Sequence, residues 1–176
     1  MQPVGRTVDH PLGLQGVDRF TLPVRDLAKA GRFYTDVMGG ELVQRETMEI
    51  GAREHPATRV QVCPGVDIVL VQQRFGWQPI DTPNPHWGFA IPGADVDTWK
   101  DHLNAWGVPC VVLFREDYIV ELGKPTRVEM HFVDPDGNQI ELVAWDYPMN
   151  DWAHRGNYDS FLLAYDYRSW PPSESA

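Results

Sequence analysis

Twice along the chain the same succession of signals occurs, a strand, a helix and then three strands, and this recurrence limits the possible folds more tightly than any single motif. In the first pass, residues 17–24 alternate, with Phe20, Leu22 and Val24 on one face and Arg19 and Thr21 on the other. Asp26 is placed to cap a helix in which Leu27, Ala30, Phe33, Tyr34, Val37 and Met38 fall at helical spacing, until Gly39 and Gly40 stop it. Strands are expected near 41–46, 58–63 and 67–72. Residues 74–85 carry Pro79, Pro83 and Pro85 without a clear period and mark a boundary. The pattern then restarts. Residues 86–91 alternate, Asp95 is placed to cap a helix with Val96, Trp99, Leu103 and Trp106 on one face, and Gly107 ends it. Strands near 109–114, 128–133 and 138–144 follow, with 115–126 as a long loop. Arg19-Phe20-Thr21-Leu22-Pro23-Val24 lines up with His86-Trp87-Gly88-Phe89-Ala90-Ile91, so Arg19 and His86 hold equivalent places.

The last two strands are joined by Pro135-Asp136-Gly137, in which Pro presets a type I turn and Gly takes the left-handed position after it. With Asp134 facing Asn138, counting outward pairs Val133 with Gln139 and His131 with Glu141. Alternation then puts Glu129, His131, Val133, Gln139 and Glu141 on one face and Val128, Met130, Phe132, Ile140 and Leu142 on the other. The apolar face belongs under helices, and the polar face belongs to a cavity.

A chain of 176 residues is long enough for one well-buried domain built of two half-size modules. The expected organisation is an N-terminal arm over 1–16, a first module over 17–73, a linker over 74–85, a second module over 86–145, and an aromatic-rich tail over 146–176. The tail is expected to pack back as a lid over the cavity or as an arm across a dimer interface, because it holds too many aromatics for a disordered end. A formal net charge of −10 argues against nucleic acid or an anionic membrane as partner and leaves a small molecule. Cys63 and Cys110 are too few for a disulfide framework and too far apart for a Cys-x-x-Cys site, so both read as semi-buried thiols. The N-terminus has no apolar segment of the signal-peptide kind, and no run reaches membrane-spanning length, so the cytoplasm is the expected location.

The Asp-Pro-Asp-Gly-Asn-Gln-Ile-Glu-Leu run of residues 134–142 resembles the closing hairpin of the vicinal oxygen chelate superfamily, which includes glyoxalase I, extradiol dioxygenases, fosfomycin-resistance enzymes and bleomycin-binding proteins. The repeat matches that family's paired modules, so the resemblance covers about residues 17–145. It implies an α+β fold in which two βαβββ modules form a curved, half-open mixed sheet around a central cavity, with helices outside. It also implies a metal-dependent small-molecule enzyme with dioxygenase-like or glyoxalase- and lyase-like chemistry on an anionic or vicinal-oxygen substrate. The alternative is a metal-free binding protein of the bleomycin-resistance type. Relatives often pair modules across a dimer, which makes a homodimer the expected assembly.

Strand parity gives a cavity lining of Arg19, Thr21, Arg59, Gln61, His86, Gly88, His131, Gln139 and Glu141. A Glu and a His arriving from separate strands are what a divalent ion needs, and Fe2+, Mn2+, Ni2+ or Zn2+ would suit such a pair. In the metal-dependent relatives the ligands come from the first strand of each module and from the last strand. Those places are occupied here by Arg19, His86 and Glu141. A guanidinium has no lone pair to donate, so the set is broken at Arg19. Three readings follow: an ion held by His86, Glu141 and a substitute such as His131, His55 or Gln61; a metal-free catalytic site; or a site that only binds. His131 stands ten residues before Glu141, where the extradiol dioxygenases that the chain resembles place an acidic Tyr, which gives it the role of proton carrier. Arg19 is the candidate to orient an anionic substrate group, with Arg59 and Gln61 as further substrate contacts. His10, His55, His102 and His154 otherwise read as structural.

Overall fold

The computed structural model describes residues 17, 19–50, 53–73, 86–115, 127–147 and 170–171. The expected arm, linker, long loop and most of the tail lie outside them. The first module consists of β1 (Arg19–Val24), α1 (Leu27–Arg32) continuing into a π-helical turn (Phe33–Val37), β2 (Glu41–Ile50), β3 (Arg53–Cys63) and β4 (Val66–Gln72). The second consists of β5 (His86–Ala90), a 3-10 turn (Gly93–Asp95), α2 (Val96–Ala105), β6 (Val111–Arg115), β7 (Arg127–Val133) and β8 (Gln139–Ala144). Each module makes an open four-stranded mixed sheet, with orders β1-β4-β3-β2 and β5-β8-β7-β6. In each, the first strand runs parallel to the last and the helix makes the crossover.

The first helix begins where the sequence places it. Asp26 Oδ1 accepts from the amides of Ala28 and Lys29 at 2.9 and 3.0 Å. After Arg32 the backbone widens into the π turn, and this brings Phe33, Tyr34 and Val37 all into the core. Gly39, at φ 72°, then turns the chain out. Asp95 does not act as the expected cap: its side chain makes no capping hydrogen bond, because a 3-10 turn over 93–95 already leads into α2. β2 and β3 also run further than their expected spans, to Ile50 and from Arg53, and form a long antiparallel ribbon. Met48 and Ile50 continue the alternation of β2, but the facing Arg53-Glu54-His55-Pro56 shows none, and Pro reads against a strand.

One hydrophobic cluster takes in both modules: Leu22, Val60, Ile68 and Leu70 from the first sheet, and Val128, Met130, Phe132, Ile140 and Leu142 from the second. Between them lie Phe33, Tyr34, Val37, Val96 and Leu103. The first module's helix stands against the second module's closing loop. Tyr34 Oη donates to Asp134 Oδ2 at 2.9 Å, and Arg25 donates through its amide and its Nε to Asp136 Oδ1, each at 3.0 Å. His102 donates from Nε2 to the Val37 carbonyl at 2.9 Å and is structural, as expected. From the tail, Trp170 is buried against Phe33, and its Nε1 donates to the Trp106 carbonyl at 2.9 Å. Among the described residues no helix is long and apolar enough to cross a membrane.

Candidate functional site

The β7–β8 hairpin has the register expected from its turn. His131 pairs with Glu141 and Val133 with Gln139, while the Asp134 amide donates to the Asn138 carbonyl at 3.0 Å. Gly137, at φ 88°, takes the left-handed position that closes the loop. The polar face carries Glu129, His131, Gln139 and Glu141, and all four are buried, at 3, 5, 4 and 8% exposure. They form a connected row. Arg127 Nε donates to Glu129 Oε1 and its guanidinium lies over the Trp145 ring, 5.2 Å from the centroid. His131 Nε2 faces Glu129 Oε2 at 3.2 Å, and Gln139 Nε2 faces His131 Nδ1 at 3.1 Å. An amide nitrogen only donates, so with Gln139 in this orientation Nδ1 accepts and Nε2 is the nitrogen that donates to Glu129.

β5 completes the row from the other side. It pairs in parallel with β8, His86 opposite Gln139 and Gly88 opposite Glu141, which brings His86 Nε2 to 3.2 Å from Glu141 Oε2. The His86 and His131 rings are 6.1 Å apart, so Glu141 stands between two imidazoles. Ligand atoms of Glu129, His131 and Glu141 all lie within 4.8 Å of one another. Gly88 leaves room beside the carboxylate, since an added Cβ would sit 3.7 Å from Glu141 Oε2. Phe20 and Trp87 pack at 5.3 Å, so β1 starts close to where β5 starts. Arg19, Asp67, Gln61 and Glu41 form one cross-strand row of the first sheet, and Thr21, Val69, Arg59 and Gln44 form the next on the same face.

Comparison with known proteins agrees with this architecture. Residues 16–142, well over half of the chain, match the profile of the Glyoxalase/Bleomycin resistance protein/Dioxygenase superfamily. The chain belongs to this superfamily. Among similar solved structures is a fosfomycin resistance protein, FosX, from Listeria monocytogenes complexed with Mn(II) and sulfate. It has 19% identity and a TM-score of 0.54, over 75% of this chain and 93% of the other. A glyoxylase/bleomycin resistance protein/dioxygenase domain from Frankia sp. EAN1pec gives 21% identity and a TM-score of 0.58, over 75% and 98%. A glyoxalase family protein from Enterococcus faecalis gives 14% and 0.58, over 73% and 97%. At these identities the likeness is one of fold. No curated protein matches the chain.

Within the superfamily fold, the structure brings together His86, His131 and Glu141 of the sequence-derived candidates. Arg19, Arg59 and Gln61 sit on the first sheet, where Arg59 is ion-paired to Glu46 at 3.5 Å and to Asp67 at 3.3 Å. His55, a possible substitute ligand, instead has its Nδ1 3.2 Å from the Gln72 carbonyl. Glu129 is the residue that sequence reasoning placed on the polar face and then passed over. Its signal was available, for it precedes His131 by two residues on one strand and therefore points the same way. The buried Glu129, His131 and Glu141, with the half-exposed His86 at the rim beside Gly88, are donors of the kind that hold a divalent first-row ion. A groove of about 510 Å³ between α1 and the β2–β3 ribbon, lined by Leu27, Gly31, Leu42, Arg45 and Pro56, lies apart from these donors. It offers no converging set of its own.

Proposed function

We propose that the protein is a divalent-metal-dependent enzyme of the vicinal oxygen chelate type, acting on an anionic small molecule with two neighbouring oxygens. The observation that carries this reading is the meeting of the half-exposed His86 and the buried Glu141, from separate strands, at 3.2 Å. These two residues would hold the ion. When bound, it supplies Lewis-acid stabilisation of an enolate-like charge or, in ring-cleaving chemistry, oxygen activation. His131, fixed between Glu129 and Gln139, is the proton carrier beside it. Arg19 orients an anionic group of the substrate, and Arg59 and Gln61 extend the same face of the first sheet as a binding wall. Burial of Glu129, His131, Gln139 and Glu141 keeps water from their side of the site, which strengthens these interactions, while the half-exposed His86 leaves the other side open to substrate. A homodimer is the expected assembly.

The test is metal analysis of protein purified without chelator, with Glu141→Ala and His86→Ala alongside. Bound metal that both substitutions abolish is the expected result. Protein that takes up no ferrous, manganous, nickel or zinc ion would favour a metal-free binder.

A further inference from the structure

We propose that the ion's remaining protein donors come from β7, Glu129 with His131 beside it, so that the second module alone carries the centre and β1 contributes nothing to it. This deepens the metal-dependent reading above and rests on it. Arg19, at the head of β1, has no lone pair to give. Glu129, His131 and Glu141 already hold their ligand atoms within 4.8 Å of one another. Two donors on one ion stand at most about 4.2 Å apart, twice a bond of about 2.1 Å, so a small contraction closes the set. The electrostatics favour it as well. Two buried carboxylates on one face repel each other, and a divalent cation between them turns that repulsion into attraction.

The surrounding contacts suit a ligand role for both β7 residues. Arg127 engages Oε1 of Glu129 and leaves Oε2 directed toward His131. Gln139 faces the other ring nitrogen of His131. Rotating its amide by half a turn would place an oxygen there to accept an Nδ1 proton, which turns the Nε2 lone pair toward the ion. Hydrogen bonds of this outer kind fix the tautomer and orientation of a metal-bound imidazole. With His86 and Glu141 the set reaches four donors. A six-coordinate ion then keeps two positions, the number that a ligand with two neighbouring oxygens fills. As a ligand His131 no longer carries the proton, so this donor set keeps the metal-dependent reading but replaces the role given to His131 above, and proton movement falls to groups brought with the substrate. The first module cannot build a second centre of this kind, because Ala57, Arg59 and Val69 stand at the register positions of Glu129, His131 and Glu141.

The experiment measures Mn(II) affinity and stoichiometry on the full-length protein, together with the visible spectrum of its Co(II) form. One ion per chain is expected. Glu129→Gln and His131→Ala should each weaken Mn(II) by at least about 100-fold, more than the roughly 10-fold to 100-fold loss typical of an outer contact, and should shift the Co(II) bands. Glu129→Asp should recover part of the affinity. Arg19→Ala should change neither affinity nor spectrum. If any of these variants fails to fold, electron–nuclear spectroscopy of Mn(II) on the unaltered protein decides the matter: two bound imidazole nitrogens support the proposal and one overturns it. Tight binding that Glu129→Gln and His131→Ala leave intact overturns this donor set while the proposed function stands. No binding of any divalent ion by the unaltered protein overturns both.

Discussion

In the first sheet Arg59 faces Val69 and Ala57 faces Val71; at the same steps of the second sheet His131 faces Glu141 and Glu129 faces Val143. The register is shared and the chemistry is not. Ala57, Val69 and Val71 are buried with Met48 packed on them, a small apolar cluster on the face opposite the main core. Arg59, the charged residue that stands beside that cluster, is ion-paired to Glu46 and Asp67. The second sheet buries two carboxylates and an imidazole at the corresponding places. Burying such groups costs free energy that apolar side chains would not, and keeping them on one side only fits the proposed centre, with the first sheet as its scaffold.

The sharpest way to break this contrast is to give the second module the first module's residue. Glu141→Val reproduces Val69 in the same register. Its partner His86 is half exposed, so the loss leaves no charge stranded in the interior. Metal affinity should fall below detection, while the metal-free protein should become more stable by about 1–2 kcal/mol, since Val suits a buried central strand. Calorimetry with and without metal measures both. A metal-free Glu141→Val protein that melts lower than the unaltered one would mean that Glu141 contributes to folding and that the separation is false.

How much of this was legible follows from which contacts are local. The register of His131 and Glu141 came from a three-residue loop and strand alternation, and His86 came from aligning the two module starts. Both need only counting. The Arg127–Glu129–His131–Gln139 row needs distances across a hairpin, and the sequence offered only its parity. The Tyr34–Asp134 bond joins residues a hundred positions apart and left no sequence signal. Asp95 had the right residue type for a cap, but the preceding 3-10 turn had already ordered the helix start. The outer half of the β2–β3 ribbon is not legible in the sequence because Arg53-Glu54-His55-Pro56 has no apolar alternation and Pro56 reads against a strand, although Met48 and Ile50 alternate opposite it.

The two β-hairpin connections sharpen the comparison at smaller cost. In the first module β3 and β4 are joined by Pro64-Gly65 alone, with Gly65 at φ 78°. In the second, the longer loop buries Asp134 and ties the modules together. Asp134 accepts from the amides of Asp136 and Asn138, from Asn138 Nδ2 and from Tyr34 Oη. Burial nevertheless outweighs these donors and raises its pKa to about 6, while the same burial and the nearby carboxylate raise the Tyr34 phenol well above its usual range. The folded protein therefore holds this proton more tightly than the unfolded chain does. The resulting stability is fully present below about pH 4 and is lost as pH rises through about 6, on the order of 2–3 kcal/mol. Asp134→Asn, with the Asn138 amide turned to accept, should flatten that part of the stability profile. Denaturant unfolding at a series of pH values compares the two, and equal slopes would show that Asp134 does not titrate in this window.

The smallest expected effect tests the first module directly. Arg59 stands where His131 stands in the second sheet, yet it is engaged by Glu46 and Asp67 rather than by metal donors. Arg59→Met keeps the stem that lies near the Ala57 and Val69 cluster and removes the charge. Glu46 and Asp67 are then left near each other, but both are partly hydrated, so the loss should be only about 1 kcal/mol at neutral pH. Mn(II) affinity should not change, because no donor of the proposed centre lies in that sheet. A fall in affinity comparable to that of His86→Ala would place the ion across both modules, and the division between scaffold and site would have to be abandoned. A loss of stability with intact affinity would instead assign Arg59 to the scaffold and leave its face available for substrate.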